Sequence, residues 1–92
     1  DSSKKFFGAR VKELRENRGI KQEQLAELVG MESRHVSRIE TGKSFTTIEN
    51  IVKISKALNV ELPSLFEIRH KNDKTELIKE INTYLNSNPF AL

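Results

Sequence analysis

Two arginines one helical turn apart carry the most pointed chemistry in this chain. They lie in "SRHVSRIETG", residues 33–42, as Arg34 and Arg38. A guanidinium is a flat, permanently charged fork of N–H donors, suited to paired acceptors such as guanine O6 and N7 or the oxygens of a phosphate. In the same segment Val36 and Ile39 stand three apart and define the buried stripe of a short helix. At about 100° per residue, Arg34, Arg38 and Thr41 fall on the opposite face with Ser37 beside them, while Glu40 falls near the buried side. A carboxylate there calls for a partner, because burying an unpaired charge is costly.

The elements that must hold this helix are read from apolar spacing. In "KKFFGARVKELRENRG", Phe7, Val11 and Leu14 recur at i, i+4 and i+7, which predicts a first helix ending near Arg18, before Gly19. "IKQEQLAELVG" gathers Leu25, Ala26, Leu28 and Val29 on one side, predicting a second helix over about 21–29 that stops at Gly30. The arginine-bearing third helix is expected at about 33–41, with Gly42 beyond it. Thr46 followed three residues later by Glu49 reads as a capping box for a fourth helix. Its Ile48, Ile51, Val52, Ile54 and Leu58 make it the most apolar stretch of the chain. In "ELPSLFEI" a fifth short helix tolerates Pro63 in its first turn and turns Leu62, Leu65 and Phe66 inward, closing the compact unit near Ile68. "RHKNDKTE", which contains His70, is a polar connector. It leads to a sixth helix carrying Leu77, Ile78, Ile81, Tyr84 and Leu85 on one stripe.

The bulk numbers fit one small domain. The chain has 92 residues, 32% charged and 36% hydrophobic, with no cysteine, so neither a disulfide framework nor a thiol nucleophile is available. No apolar run reaches the roughly 18 residues of a membrane span and no signal-peptide core is present, which makes the cytoplasm the expected compartment and rules out a membrane partner. The chain opens on Asp1 rather than Met, so it is expected to be a trimmed piece of a longer protein. A net charge of +3 permits a polyanionic partner without requiring one. Between residues 21 and 43 the charges of Lys21, Arg34, Arg38 and Lys43 cancel against Glu23, Glu27, Glu32 and Glu40, so anion binding there needs the two signs on different faces.

Five short helices with a tight glycine-containing connection between the second and third match a helix-turn-helix arrangement. The stretch "VKELRENRGIKQEQLAELVGMESRHVSRIETGKSFTTIENIVKISKALNVELPSLF" resembles the XRE-type helix-turn-helix family of phage repressors and Cro proteins, over about residues 6–68. The resemblance rests on Leu14-Arg15, Gly19-Ile20, Gln22, Leu25-Ala26, Gly30, Val36, Ser37, Ile39-Glu40, Gly42, Ala57-Leu58 and Val60. It implies an all-α fold: a compact five-helix repressor-like DNA-binding domain with an additional C-terminal helix. Residues 1–68 would form the helix-turn-helix domain, and 69–92 the connector and C-terminal helix.

The resemblance also implies roles. Ser33, Arg34, Ser37 and Arg38 become candidates for reading base edges of double-stranded DNA. Glu32 stands where the family usually has Ser or Thr, so Ser33 is a candidate helix cap as well. Lys21, Gln22, His35, Thr41, Lys43 and Ser44 become candidates for the DNA backbone, with loop amides near the last three assisting, and Gln22 also props the recognition helix. Arg15 and Glu40 are implied to be a structural ion pair, which answers the misplaced carboxylate. Phe45 either packs under its loop or, exposed, meets a thymine methyl or a sugar; packing is the favoured reading.

The stripe of Leu77, Ile78, Ile81, Tyr84 and Leu85 either folds back on its own core or pairs with a second copy of the chain. The homodimer is the expectation, because two-fold symmetry would set two recognition helices roughly 34 Å apart on a near-palindromic site. An alternative function is an antitoxin or other protein-binding module whose C-terminal helix engages a partner protein. Catalysis is not expected: the polar residues form no Ser-His-Asp set, no carboxylate pair in a pocket and no phosphate-cradling glycine loop. Neither a cofactor nor a metal site is expected, since His35 and His70 lie far apart with no acidic or cysteine cluster at ligand spacing.

Overall fold

The computed structural model describes the backbone of residues 2–67 and 71–87, and the side chains of 3–67 and 78–87. Among these residues the structure is wholly helical: α1 Ser2–Asn17, α2 Gln22–Val29, α3 Ser33–Glu40, α4 Ile48–Ala57, α5 Leu62–Leu65 and α6 Lys71–Ser87. None of these helices is long and apolar enough to cross a membrane.

The apolar spacing of the sequence closes into one core. Phe7 and Val11 of α1, Leu25 and Val29 of α2, Val36 and Ile39 of α3, Ile51 and Ile54 of α4, and Leu65 of α5 are all buried together. Phe7 is the hub. Its ring stacks on Phe66 with centroids 5.4 Å apart and meets the edge of Phe45 at 5.3 Å and 79°, a geometry aromatic quadrupoles favour. Phe45 therefore packs under its loop, the favoured of the two arrangements the sequence allows.

The α2–α3 connection depends on Gly30, whose φ of 85° puts it in the left-handed region. From there the N–H groups of Gly30 and Met31 both donate to the Ala26 carbonyl, at 2.8 and 2.9 Å, closing the end of α2. Any residue with a Cβ would be strained at that angle. At the start of α4 the cap is one residue later than the sequence predicts. Thr47, with extended backbone at φ −74° and ψ 157°, is the N-cap, and its Oγ1 accepts from the Asn50 N–H at 3.1 Å. Thr46 instead accepts from the Asn50 side chain at 2.9 Å. The helix opens at Ile48, so Glu49 is the second helical residue, one position too early to close a capping box on Thr47. Two further links tie α1 to α5 and the segment just beyond it: Arg10 Nε donates to the Ser64 carbonyl at 2.9 Å and its guanidinium pairs with Glu67.

Helix α6 returns to the body of the domain. Ile81 is 2% exposed and belongs to the main core, and Ile78 and Leu85 pack partly against it. The five-residue stripe is thus divided, with Ile81 covered by its own chain and Tyr84 half-buried. Leu77 lies outside the described side chains, and Ile68 and His70 lie outside the described residues.

Candidate nucleic-acid interface

Helix α3 has eight residues, too few to be stable by itself in water. Its position is imposed by its neighbours. Val36 and Ile39 are 2% and 1% exposed, which anchors one face. The other end is clamped by α1. A Cβ built on Gly8 would lie 2.0 Å from the Ile39 carbonyl oxygen and 2.9 Å from that of Glu40, so only glycine lets the two backbones meet this closely.

The same end holds the buried ion pair. Arg15 Nε donates to Glu40 Oε2 at 2.7 Å and Nη2 to Oε1 at 3.1 Å, while Nη1 donates to the Ile20 carbonyl at 2.8 Å. The residues are 8% and 6% exposed. Hydrogen bonding to Glu40 raises the Arg15 pKa above its already strongly basic ordinary value, outweighing the opposing effect of burial. Gln22, at the start of α2, adds a third donor, with Nε2 2.9 Å from Glu40 Oε1. One carboxylate therefore joins α1, α2 and α3. The structure brings Arg15 and Glu40 together as the resemblance implies, and Gln22 donates to the same carboxylate.

With one face and one end fixed, the other face of α3 is presented outward. Arg34 and Arg38 are exposed, and among the described residues no ion pair engages either guanidinium. Together with His35 and Glu32 they line an open depression of about 380 Å³. Ser37 is half-buried at the margin of this face. Ser33 is exposed and is the first helical residue, not the cap: the extended N-cap is Glu32, at φ −78° and ψ 148°. The Ser33 hydroxyl thus has no capping duty. Glu32, named from the sequence only for its charge and for standing where the family has Ser or Thr, also lines the depression. In a major groove a carboxylate can also accept from the cytosine amino group, and its place just ahead of α3 was the available signal.

The residues expected at the DNA backbone divide into two groups. Lys21 and Lys43 are exposed. His35 is half-buried, its Nε2 3.5 Å from the Phe45 carbonyl, at the far limit of a hydrogen bond. Neither Thr41 nor Ser44 presents an available hydroxyl to the surface here. The Thr41 hydroxyl donates back to the carbonyls of Ser37 and Arg38 at 3.0 and 3.2 Å, and Ser44 Oγ is buried without a hydrogen-bond partner. The loop amides expected to assist are engaged as well. Thr41 N–H donates to Ser37, Gly42 N–H to Ile39, and those of Lys43 and Ser44 both to Arg38. The last carbonyls of a helix need partners, and here the following loop supplies them.

The family model described as "Helix-turn-helix" matches residues 11–65. The HTH-type transcriptional regulator YgzD of Bacillus subtilis is 35% identical over 63 residues, which are 68% of this chain and 96% of that protein. The control protein C.SmaI of Serratia marcescens is 29% identical over 62 residues, 67% of this chain and 74% of that one. The crystal structure of the restriction-modification controller protein C.AhdI from Aeromonas hydrophila is similar with a TM-score of 0.68 at 37% identity, covering 71% of this chain and 94% of that chain.

Proposed function

Because this chain belongs to the XRE-type helix-turn-helix family, we propose that it is a transcriptional regulator that binds double-stranded DNA by laying α3 in the major groove. Arg34 and Arg38 read base edges, with Ser33 and Ser37 beside them. Lys21 and Lys43 contact the phosphate backbone with His35, and Thr41 and Ser44 join only if their hydroxyls reorient. The observation that carries this reading is the presentation of two exposed guanidinium groups, without an ion pair among the described residues, on a helix whose other face and far end are clamped. Its action is binding without catalysis, and its place is the cytoplasm, where it meets its operator as a homodimer on a near-palindromic site. Relatives that include a restriction-modification controller protein and a second control protein support that scale of regulator.

Selection of bound sequences from random duplex DNA, repeated across salt concentrations, tests the proposal. The expected product is a two-fold-related motif whose binding weakens steeply with salt. Enrichment of no sequence at any salt concentration would defeat sequence-specific reading. A selected motif without two-fold symmetry, bound by a single chain, would defeat the dimer.

A further inference from the structure

Helix α1 begins nine residues ahead of the stretch that the family model matches. Its first turns contain Lys4 and Lys5 and carry no acidic residue. Lys5 lies against the turn that ends α3. A Cβ on Gly42 would stand 2.7 Å from Lys5 Cγ and 3.1 Å from its Cα, so the lysine stem is pressed onto the Gly42 backbone. Lys5 and Gly8, one helical turn apart, share a flank of α1, and both meet the end of α3. The residue after Gly42 is Lys43, also exposed. Among the described residues neither ammonium group has an ion-pair partner.

We propose that Lys5 is a DNA-backbone contact, acting with Lys43 to hold one stretch of phosphates at the end of the recognition helix. The proposal rests on the DNA-binding reading above. Two exposed lysines stand at one turn, Lys5 packed against Gly42 and Lys43 next to it in the chain, and one stretch of phosphodiester can accept from both. The loop amides of residues 41–44 are engaged in closing α3, so the anion-binding capacity at this end comes from side chains. Packing of the Lys5 stem on Gly42 holds its Cα–Cγ segment in place before DNA arrives. Less freedom is then lost on binding than for a lysine free in solvent.

The test uses the full chain and duplex DNA of random sequence, where binding is electrostatic and no operator need be known. Lys5→Met keeps a stem on Gly42 and removes the charge; Lys5→Arg keeps the charge. Lys53→Ala is the control for net charge, because Lys53 already pairs with Glu49 on α4. Thermal unfolding confirms that each variant is folded. The expected result is that Lys5→Met lowers the slope of log affinity against log salt by about 0.9 to 1, as one lost phosphate contact should. Lys43→Ala does the same, Lys5→Arg restores the slope and Lys53→Ala leaves it unchanged. If Lys43→Ala lowers the slope while Lys5→Met behaves like Lys53→Ala, the Lys5 contact is refuted and DNA binding stands. If the unmodified chain shows no salt-dependent binding to any duplex, the DNA-binding reading fails and the Lys5 contact fails with it.

Discussion

At the scale of single residues, the side chains at the face of α3 separate by what they can still donate. Arg34 and Arg38 have no ion-pair partner among the described residues, whereas the Thr41 proton and the loop amides are already engaged. Arg38→Ala is therefore expected to relax preference at one base position, by about 1–3 kcal/mol of discrimination. Lys43→Ala should weaken all sequences alike and flatten the salt dependence. Binding-site selection and salt titration on the two variants separate these outcomes, and identical behaviour would refute the division between base and backbone contacts. The Arg15–Glu40 pair makes a different prediction. Glu40→Ala leaves a buried guanidinium with its hydrogen bond to the Ile20 carbonyl but without its carboxylate partner, and should cost about 3–5 kcal/mol in chemical denaturation. Since the Arg15 pKa is raised, the arginine's share of that stability is fully present at neutral pH and is lost only on climbing through the raised value. The arginine and glutamate positions were legible because each sits at a distinct angle on its helix. The inward turn of Ser44 and the back-bonding of Thr41 were not, because rotamers and loop amides respond to neighbours that only the closed fold supplies.

At the scale of elements, the helices and the glycine-bounded turn followed from apolar spacing and from few breakers. Cap positions followed less well. Thr46 and Thr47 are adjacent residues of the same type, and the backbone decides between them by where the loop from Phe45 delivers the chain. The structure chooses Thr47, so Thr47→Ala should cost about 0.5–2 kcal/mol through loss of the bond to Asn50 N–H. Thr46→Ala, which removes a side-chain bond to Asn50, should cost less. Equal costs in parallel unfolding curves would contradict that assignment. Gly8 was invisible to sequence reasoning as a contact, since an uncharged residue within a helix carries no chemical signal. Gly8→Ala should force α1 away from the Ile39 carbonyl, lowering stability and weakening selected-site binding more than random-duplex binding, because it moves α3 and removes no charge.

At the scale of the whole molecule, the C-terminal helix both completes the core and remains the proposed pairing surface. Ile81 contributes to its own chain's interior, so Ile81→Ala is expected to cost about 2–5 kcal/mol in unfolding whatever the oligomeric state. Removing residues 73–92 would thus confuse pairing with folding. Pairing is read directly by sedimentation of the unmodified chain; a monomeric mass would count against it. The sequence displayed the stripe on α6 but not its division, because periodicity reports that a face is apolar and not which surface covers it. A last consequence follows from the carboxylate that joins three helices. The segment that would touch DNA has no shape of its own; its pose is lent by Arg15, Gly8 and Gln22 from elsewhere in the chain. A graft of residues 33–40 onto a foreign helical scaffold should therefore fail to inherit the operator preference, whereas a graft that also carries those three supporting positions should transmit it.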